Sequence, residues 1–388
     1  MAGAIFILTL VGGLFLWAGQ EEKPPDRSVY EIPGTVISVD NTRLQGTGLT
    51  ALGVQFLEVV LTGDPFKGTM VSADNHMMGQ WDLDEVYVKG DHILVAVQAR
   101  AGKVISRAKA INTYRQNWEL ILFGLFALLL VAYAGVIGLK ALASFLAVLL
   151  ILWFFFLPGL LSGTPPLLLS FRVLVLLSAV IVFSVAGLTR KGLAAFLGTL
   201  SGLLVTLGLT SFFGSMFELG GMTAPFASTL VLTGHFRLDM QGIFYSAVLL
   251  GASGAAMDIA MDISASMDEI KAKRPDMGMG ELVRSGLTIG RTVIGTMTTT
   301  LLLAYSGGYL TMLMLFVSQE TSFTRIINMK LVAAEIFRVL MGSIGLVMVA
   351  PVTALLAGFL LCLPKFRGKP KPGLNIPVKS GSGGDASE

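Results

Sequence analysis

Between residues 118 and 363 the chain carries seven apolar runs of about eighteen residues or more, and these constrain its fold more than any other feature. They fall at residues 118–137, 141–161, 171–188, 192–213, 241–264, 285–316, with an interruption around Gly307-Gly308, and 336–363. As helices, each is long enough to cross roughly 30 Å of hydrocarbon. A bilayer offers no water to unpaired backbone groups, so segments of this length are expected as helices, whose hydrogen bonds close within the segment. A further apolar run, Ala2 to Ala18, precedes the polar stretch Gln20-Glu-Glu-Lys-Pro-Pro and lacks the basic start of a cleaved signal peptide. Residues 1–19 are therefore predicted as a first transmembrane helix. The expected fold is a predominantly α-helical membrane protein of about eight transmembrane helices. Composition agrees: 54% of the 388 residues are apolar and 14% are charged, which makes the bilayer the main solvent.

Residues 28–115 follow a different pattern. Short alternating runs, among them Val29-Tyr-Glu-Ile, Gly34-Thr-Val-Ile-Ser-Val, Val54-Gln-Phe-Leu-Glu-Val-Val-Leu and His92-Ile-Leu-Val-Ala-Val, are separated by turn signals such as Thr62-Gly-Asp-Pro and Lys89-Gly-Asp. Five or six short strands in so little chain predict a small all-β, OB-like barrel. The domain reading is then a helix at 1–19, the barrel at 28–115, a seven-helix transmembrane domain at 118–363, and a basic, Gly/Ser-ending, disordered tail at 364–388.

Charge fixes the expected orientation. With the barrel outside, the loops and tail assigned inside hold twelve basic residues, from Lys140, Arg190 and Lys191 through Lys271, Lys273, Arg274 and Arg284 to Lys379. Those outside between later spans hold Arg237, Arg325 and Lys330. The positive-inside rule then predicts both termini in the cytoplasm and the barrel on the far side. A net charge of +3, without a basic stripe interleaved with aromatics, excludes nucleic acid as the expected partner. One cysteine, Cys362, permits neither a disulfide within the chain nor a cysteine-ligated metal. His76, His92 and His235 lack a metal-ligand spacing, and His235 with Asp239 reads better as the start of a helix. No phosphate-binding glycine loop is present, and no cofactor is expected.

The chemistry concentrates in the run at 241–264 and the two that follow. Asp258, Asp262 and Glu269 fall within roughly 40° of one another on a single helix face. Gly251 and Gly254 extend that face and allow a neighbouring helix to approach. A carboxylate inside the membrane costs several kcal/mol, of order 3, unless it is paired, hydrated or protonated, so such residues are candidates for an ion pathway. For Glu269 the competing reading is a solvated helix end. In the next run Ser285, Thr288, Thr292, Thr296, Thr299 and Ser306 share one face, which serves either a polar pathway or plain helix packing. Arg291, beside that stripe, is expected at the depth of Asp262 and as its ion-pair partner. The last run opens with Glu335 and Arg338, spaced to meet on one side of a helix as an interfacial pair, with Arg338 a second possible counter-ion. Both aspartates on one helix, with nearly parallel side chains, do not suit an aspartyl dyad that clamps water, and no enzyme is expected.

Gln241-Gly-Ile-Phe, Met257-Asp-Ile-Ala-Met-Asp-Ile-Ser-Ala-Ser-Met-Asp-Glu-Ile and Gly342-Ser-Ile-Gly-Leu-Val resemble the bacterial YibE/F family of membrane proteins. The segment from Glu281 to Leu302 resembles, more distantly, the SecD/SecF type of RND permease. The matching positions are Arg291, Thr292, Thr296, Thr298 and Thr299, with Gly251, Asp262 and the Asp268-Glu269 end in the preceding helix. In that pattern an aspartate stands where this chain has Ala256, with Asp258 two positions later. The resemblances imply a bacterial inner-membrane protein with an RND-like helical core, in which proton or sodium flux through a membrane carboxylate drives movement.

The leading expectation is an ion-coupled transporter or exporter, with Asp258 holding the coupling ion and the substrate unknown. A membrane scaffold or assembly factor whose barrel binds a partner is the alternative, and a passive ion channel a third. Close-packing Gly/Ser faces leave room for a homodimer.

Overall fold

The computed structural model describes residues 29–46, 51–79, 84–100, 104–234 and 236–363. The expected first helix at 1–19, the tail at 364–388 and His235 lie outside the described residues. The described chain divides into two compact units, one ending at Leu142 and one beginning at Ala143.

The first unit holds six strands: β1 (Val29–Asp40), β2 (Leu44–Gly46), β3 (Ala51–Leu61), β4 (Met70–Met78), β5 (His92–Arg100) and β6 (Val104–Thr113). Five of them close a barrel. β1 is antiparallel to β5 through its first half and to β3 through its second, with a bulge between Val36 and Ser38 where it turns from one to the other. β3 pairs with β4, β5 with β6, and a parallel bridge between Asp74 and Lys109 completes the ring. β2 is a short addition to β3 outside it. Alternation supplies the interior: Leu57, Val59 and Leu61 from β3 and Ile93, Val95 and Val97 from β5 are all buried.

The barrel interior also holds a polar network. Gln55 and Asn75 are buried, and each finds partners. Gln55 Nε2 donates to the Tyr87 carbonyl at 2.9 Å and to Asn41 Oδ1 at 2.9 Å, while Gln55 Oε1 accepts from the Tyr87 amide at 3.1 Å and from Asn75 Nδ2 at 3.1 Å. Asn75 Nδ2 also donates to the Glu85 carbonyl at 2.7 Å. The chain from Asp84 to Asp91 is thereby stitched to the barrel. Glu85 in turn accepts from the amide and the hydroxyl of Thr113, at 2.9 and 2.7 Å, and from the Arg115 guanidinium. Burial alone would push this carboxyl up, but the hydrogen bonds from Arg115 and Thr113 outweigh it and hold it at about 2.

The helical part begins with α1 (Gln116–Ile151), continues through a π turn (Leu152–Phe156) and ends in α2 (Leu157–Leu161). Pro158 lacks an amide proton and its ring crowds the carbonyl four residues earlier, and the widened turn before it relieves that clash. The two runs expected as separate spans, 118–137 and 141–161, lie in one continuous stretch, Gln116–Leu161, that is made of two helices meeting at a kink. That stretch is broken at Gly135, whose φ of 55° and ψ of −128° are not helical. A straight helix separates residues 130 and 138 by about 12 Å along its axis. Here a Cβ on Gly138 would overlap the Leu130 carbonyl oxygen, so the helix is sharply bent at Gly135.

The second unit continues with α3 (Pro166–Ala186), α4 (Arg190–Met216), the short α5 (Ala227–Leu232), α6 (Met240–Lys273), α7 (Met279–Gly308), the short α8 (Leu310–Ser318) and α9 (Phe323–Ile327), and α10 (Lys330–Cys362). The run expected at 285–316 stops at Gly308, where the paired glycines end α7, and restarts as α8. Six helical stretches among the described residues are long and apolar enough to cross a membrane, where about eight were expected along the whole chain.

Glycines set the spacing of this unit. A Cβ on Gly198 would overlap the hydroxyl of Thr353, one on Gly202 would overlap Val349, and one on Gly345 would overlap the hydroxyl of Thr206, so α4 and α10 approach almost backbone to backbone. Gly286 lies under Met267 and Gly290 against Ile263 and Ala350, which seats α7 on α6 and α10. Thr189 caps α4 by accepting from the Gly192 amide, and Asp239 caps α6 by accepting from the Gly242 amide. Basic residues gather where α4 begins and α6 ends: Lys191 pairs with Asp268 at 3.2 Å, and Arg274 with Asp276 and Glu281, each at 3.3 Å.

Gly198→Val is expected to lower stability by about 1–3 kcal/mol through overpacking, while Gly208→Ala, with open space at its Cβ, leaves it unchanged or slightly raised. Thermal unfolding of both variants in detergent measures the difference. In the barrel, the folded-state pKa of Glu85 lies below its ordinary 4.5, so its contribution is complete above that value and lost as pH falls toward about 2. Hydrogen-exchange protection of β6 is expected to decline through that window in the parent, and to lose this dependence in Glu85→Gln.

Candidate functional site

α6 is buried on most of its circumference, with Ile259, Ala260, Ile263 and Met267 fully enclosed. Asp258 and Asp262 stand on its one uncovered strip, together with Gly254, whose Cβ position meets nothing within 4 Å. Counted from Asp268, the nearest charged residue toward the end of α6, Asp262 lies six residues, or about 9 Å, further into the helix. Glu269 is at the helix end, exposed, and pairs with Lys273 at 2.8 Å, a solvated end pair and not part of the strip.

On α7 the packed side is formed by Leu282, Gly286 and Gly290. Thr288, Thr292, Thr296 and Thr299 are all exposed on other sides of the helix. Thr288, Thr292 and Thr296 donate their hydroxyl protons to carbonyls of their own helix, those of Arg284, Thr288 and Val293. Arg291 is exposed too, and the ion pair expected between it and Asp262 is not among those formed by the described residues. The reason is geometric. Asp262 precedes Ile263 and Arg291 follows Gly290, and Ile263 and Gly290 touch. In an antiparallel helix pair, the residue before the contact on one helix and the residue after it on the other turn to opposite sides of the seam. Depth was matched as expected; direction was not.

The pair read as interfacial is the enclosed one. Arg338 Nη1 lies 3.2 Å from Glu335 Oε1, with the two side chains 19% and 15% exposed. Tyr309, at the end of α7, donates its hydroxyl to Glu335 Oε1 at 2.7 Å, and the Arg338 guanidinium sits 5.6 Å from the centre of the Phe244 ring. Arg338 Nε is buried with no hydrogen-bond partner among the described residues. Beside this cluster a cavity of about 310 Å³ opens between α7, α8 and α10, lined by Tyr305, Tyr309 and Glu335 among mostly apolar side chains such as Leu302, Val332 and Val339. The Glu335–Arg338 spacing was visible in the sequence; Tyr309 and Phe244 come from other helices, and no local spacing announces them. Among the described residues no group of His, Cys, Asp and Glu is arranged to hold a metal ion.

Residues 122–362 match the family described as YibE/F-like protein, which covers more than half of the chain. The chain belongs to the YibE/F-like family. The match begins at Leu122, inside α1, and runs to the last residue of α10, so it takes in the aspartates of α6, the threonines of α7 and the Glu335–Arg338 pair while the barrel precedes it. No curated protein and no solved structure matches the chain.

Removing one partner from the Glu335–Arg338 pair leaves the other charge enclosed, so Glu335→Gln and Arg338→Gln are each expected to cost about 3 kcal/mol of stability in this YibE/F-like chain. The double variant is expected to lose clearly less than the sum. Denaturant unfolding in detergent provides the cycle, and additive losses would argue that the pair is not coupled.

Proposed function

We propose that this chain is an ion-coupled membrane transporter or exporter in which Asp258 takes up and releases a proton or sodium ion. The observation that carries this reading is the uncovered strip of α6, where Asp258 and Asp262 stand one turn apart in a membrane-length helix with no ion-pair partner among the described residues. An ionised carboxylate in hydrocarbon costs about 2.5–3.5 kcal/mol, and a bound cation removes that cost. Loading and unloading the strip therefore alters the relative stability of two helix packings, which is what an ion needs in order to do mechanical work on the bundle. The glycine contacts of α7 supply a seam along which such repacking could run with little side-chain obstruction. The similarity of α6 and α7 to the SecD/SecF pattern supports an RND-like core. The cluster of Lys191, Lys271, Lys273 and Arg274 at one end of the bundle supports placing that end in the cytoplasm of a bacterial inner membrane, with the barrel outside and about eight spans along the whole chain.

The hydroxyls of α7 favour a second reading, because those that bond back to their own helix behave as packing groups in a scaffold whose barrel recruits a partner. Flux separates the two. In proteoliposomes with an internal pH dye or a sodium indicator, the parent is expected to carry flux and Asp258→Asn to lose at least about tenfold of it, a change of 1.4 kcal/mol or more in the barrier. Parent-like flux in that variant would remove Asp258 from the pathway, and no flux in any form would favour the scaffold.

A further inference from the structure

α7 is the barest of the long helices of the second unit. Three of its 30 residues are buried, against fifteen of the 34 in α6. An apolar face left bare can be covered by lipid chains. This one carries Arg291, with Asp258 and Asp262 on the uncovered strip of the helix beside it. Each of these charges lies about 9 Å or more beyond the last charged residue at its helix end, and leaving one to lipid costs about 2.5–3.5 kcal/mol. Whatever covers this face therefore has to bring a charge of opposite sign at the right height in the membrane.

The chain itself meets that requirement. Ile263 touches Gly290, so Asp262 and Arg291, the next residues in line, are at one height. They turn to opposite sides of the seam, which prevents them from pairing within one chain and leaves each directed outward. We propose that other copies of this chain cover these two sides, with Asp262 of one copy paired to Arg291 of the next. A rotation axis along the membrane normal preserves height, so the two residues meet without tilting either bundle. Each copy gives one carboxylate and one guanidinium to different neighbours, a head-to-tail contact that closes into a ring. Asp258 is left out of the pairing.

The test uses the full chain in a Cys362→Ala background. Two differently tagged copies, one Asp262→Cys and the other Arg291→Cys, are co-expressed and oxidised in the native membrane; a disulfide-linked heterodimer is expected, and none is expected when either cysteine is moved to the buried position Ala260. In parallel, Asp262→Arg alone and Arg291→Asp alone are each expected to lose the oligomer in mild detergent. Co-expression of the two is expected to restore an oligomer, because every contact between unlike copies then joins opposite charges; pairing within a chain predicts no such rescue. A parent that runs as a monomer in nanodiscs, or an absent crosslink with both cysteine copies present in the membrane, overturns the proposal, as does stoichiometric recovery of a different protein on this face. If the charge reversals fail to fold, the cysteine pair decides.

Discussion

Helix approach in the second unit is set where the bare backbone of a glycine on one helix receives a side chain of the next. At Gly198, Gly202, Gly286 and Gly345 a single added carbon would collide with a side chain of the facing helix, and at Gly290 it would be crowded. Inside lipid no hydrophobic force drives helices together, since the surrounding chains are as apolar as leucine, so close packing and short-range dispersion carry the association. The positions of all other groups follow from this. Thr206, Thr353, Ile263 and Met267 are where they are because a glycine faces them, and the height at which Asp262 and Arg291 stand is inherited from the Gly290–Ile263 contact.

That dependence explains what could be read from the sequence. Long apolar runs identify membrane helices because the bilayer imposes a length, and alternation with turn signals identifies the barrel because a strand has two faces. Both are local properties. The runs at 118–137 and 141–161 meet close to the break at Gly135, while the sharpness of that bend, which brings Gly138 against the Leu130 carbonyl, is not a local property. The end of α7 was legible in the Gly307-Gly308 pair, because two residues without side chains weaken a helix wherever they fall.

The charged residues divide along the same line. Periodicity placed Asp258 and Asp262 on one face, and they share the uncovered strip of α6. It also gave Asp262 and Arg291 a common depth, yet periodicity on two helices says nothing about the rotation of one relative to the other, and the ion pair inferred from depth alone does not form. Glu335 and Arg338 meet as their spacing predicts, and Tyr309 and Phe244 from two other helices enclose them. An i, i+3 spacing reports that two charges can meet; their surroundings are a property of the whole bundle.

Glu85 joins elements that a sequence map would keep apart. Through Thr113 and Arg115 it grips the three residues over which β6 gives way to α1, and through its own carbonyl it is tied to Asn75 inside the barrel. The strand-to-helix passage is therefore held by side-chain hydrogen bonds as well as by the backbone. It behaves as the fixed end of a lever: a twist or tilt applied to the first turns of α1 reaches the segment from Asp84 to Asp91 and the Gln55–Tyr87 bonds beneath it before it is dissipated.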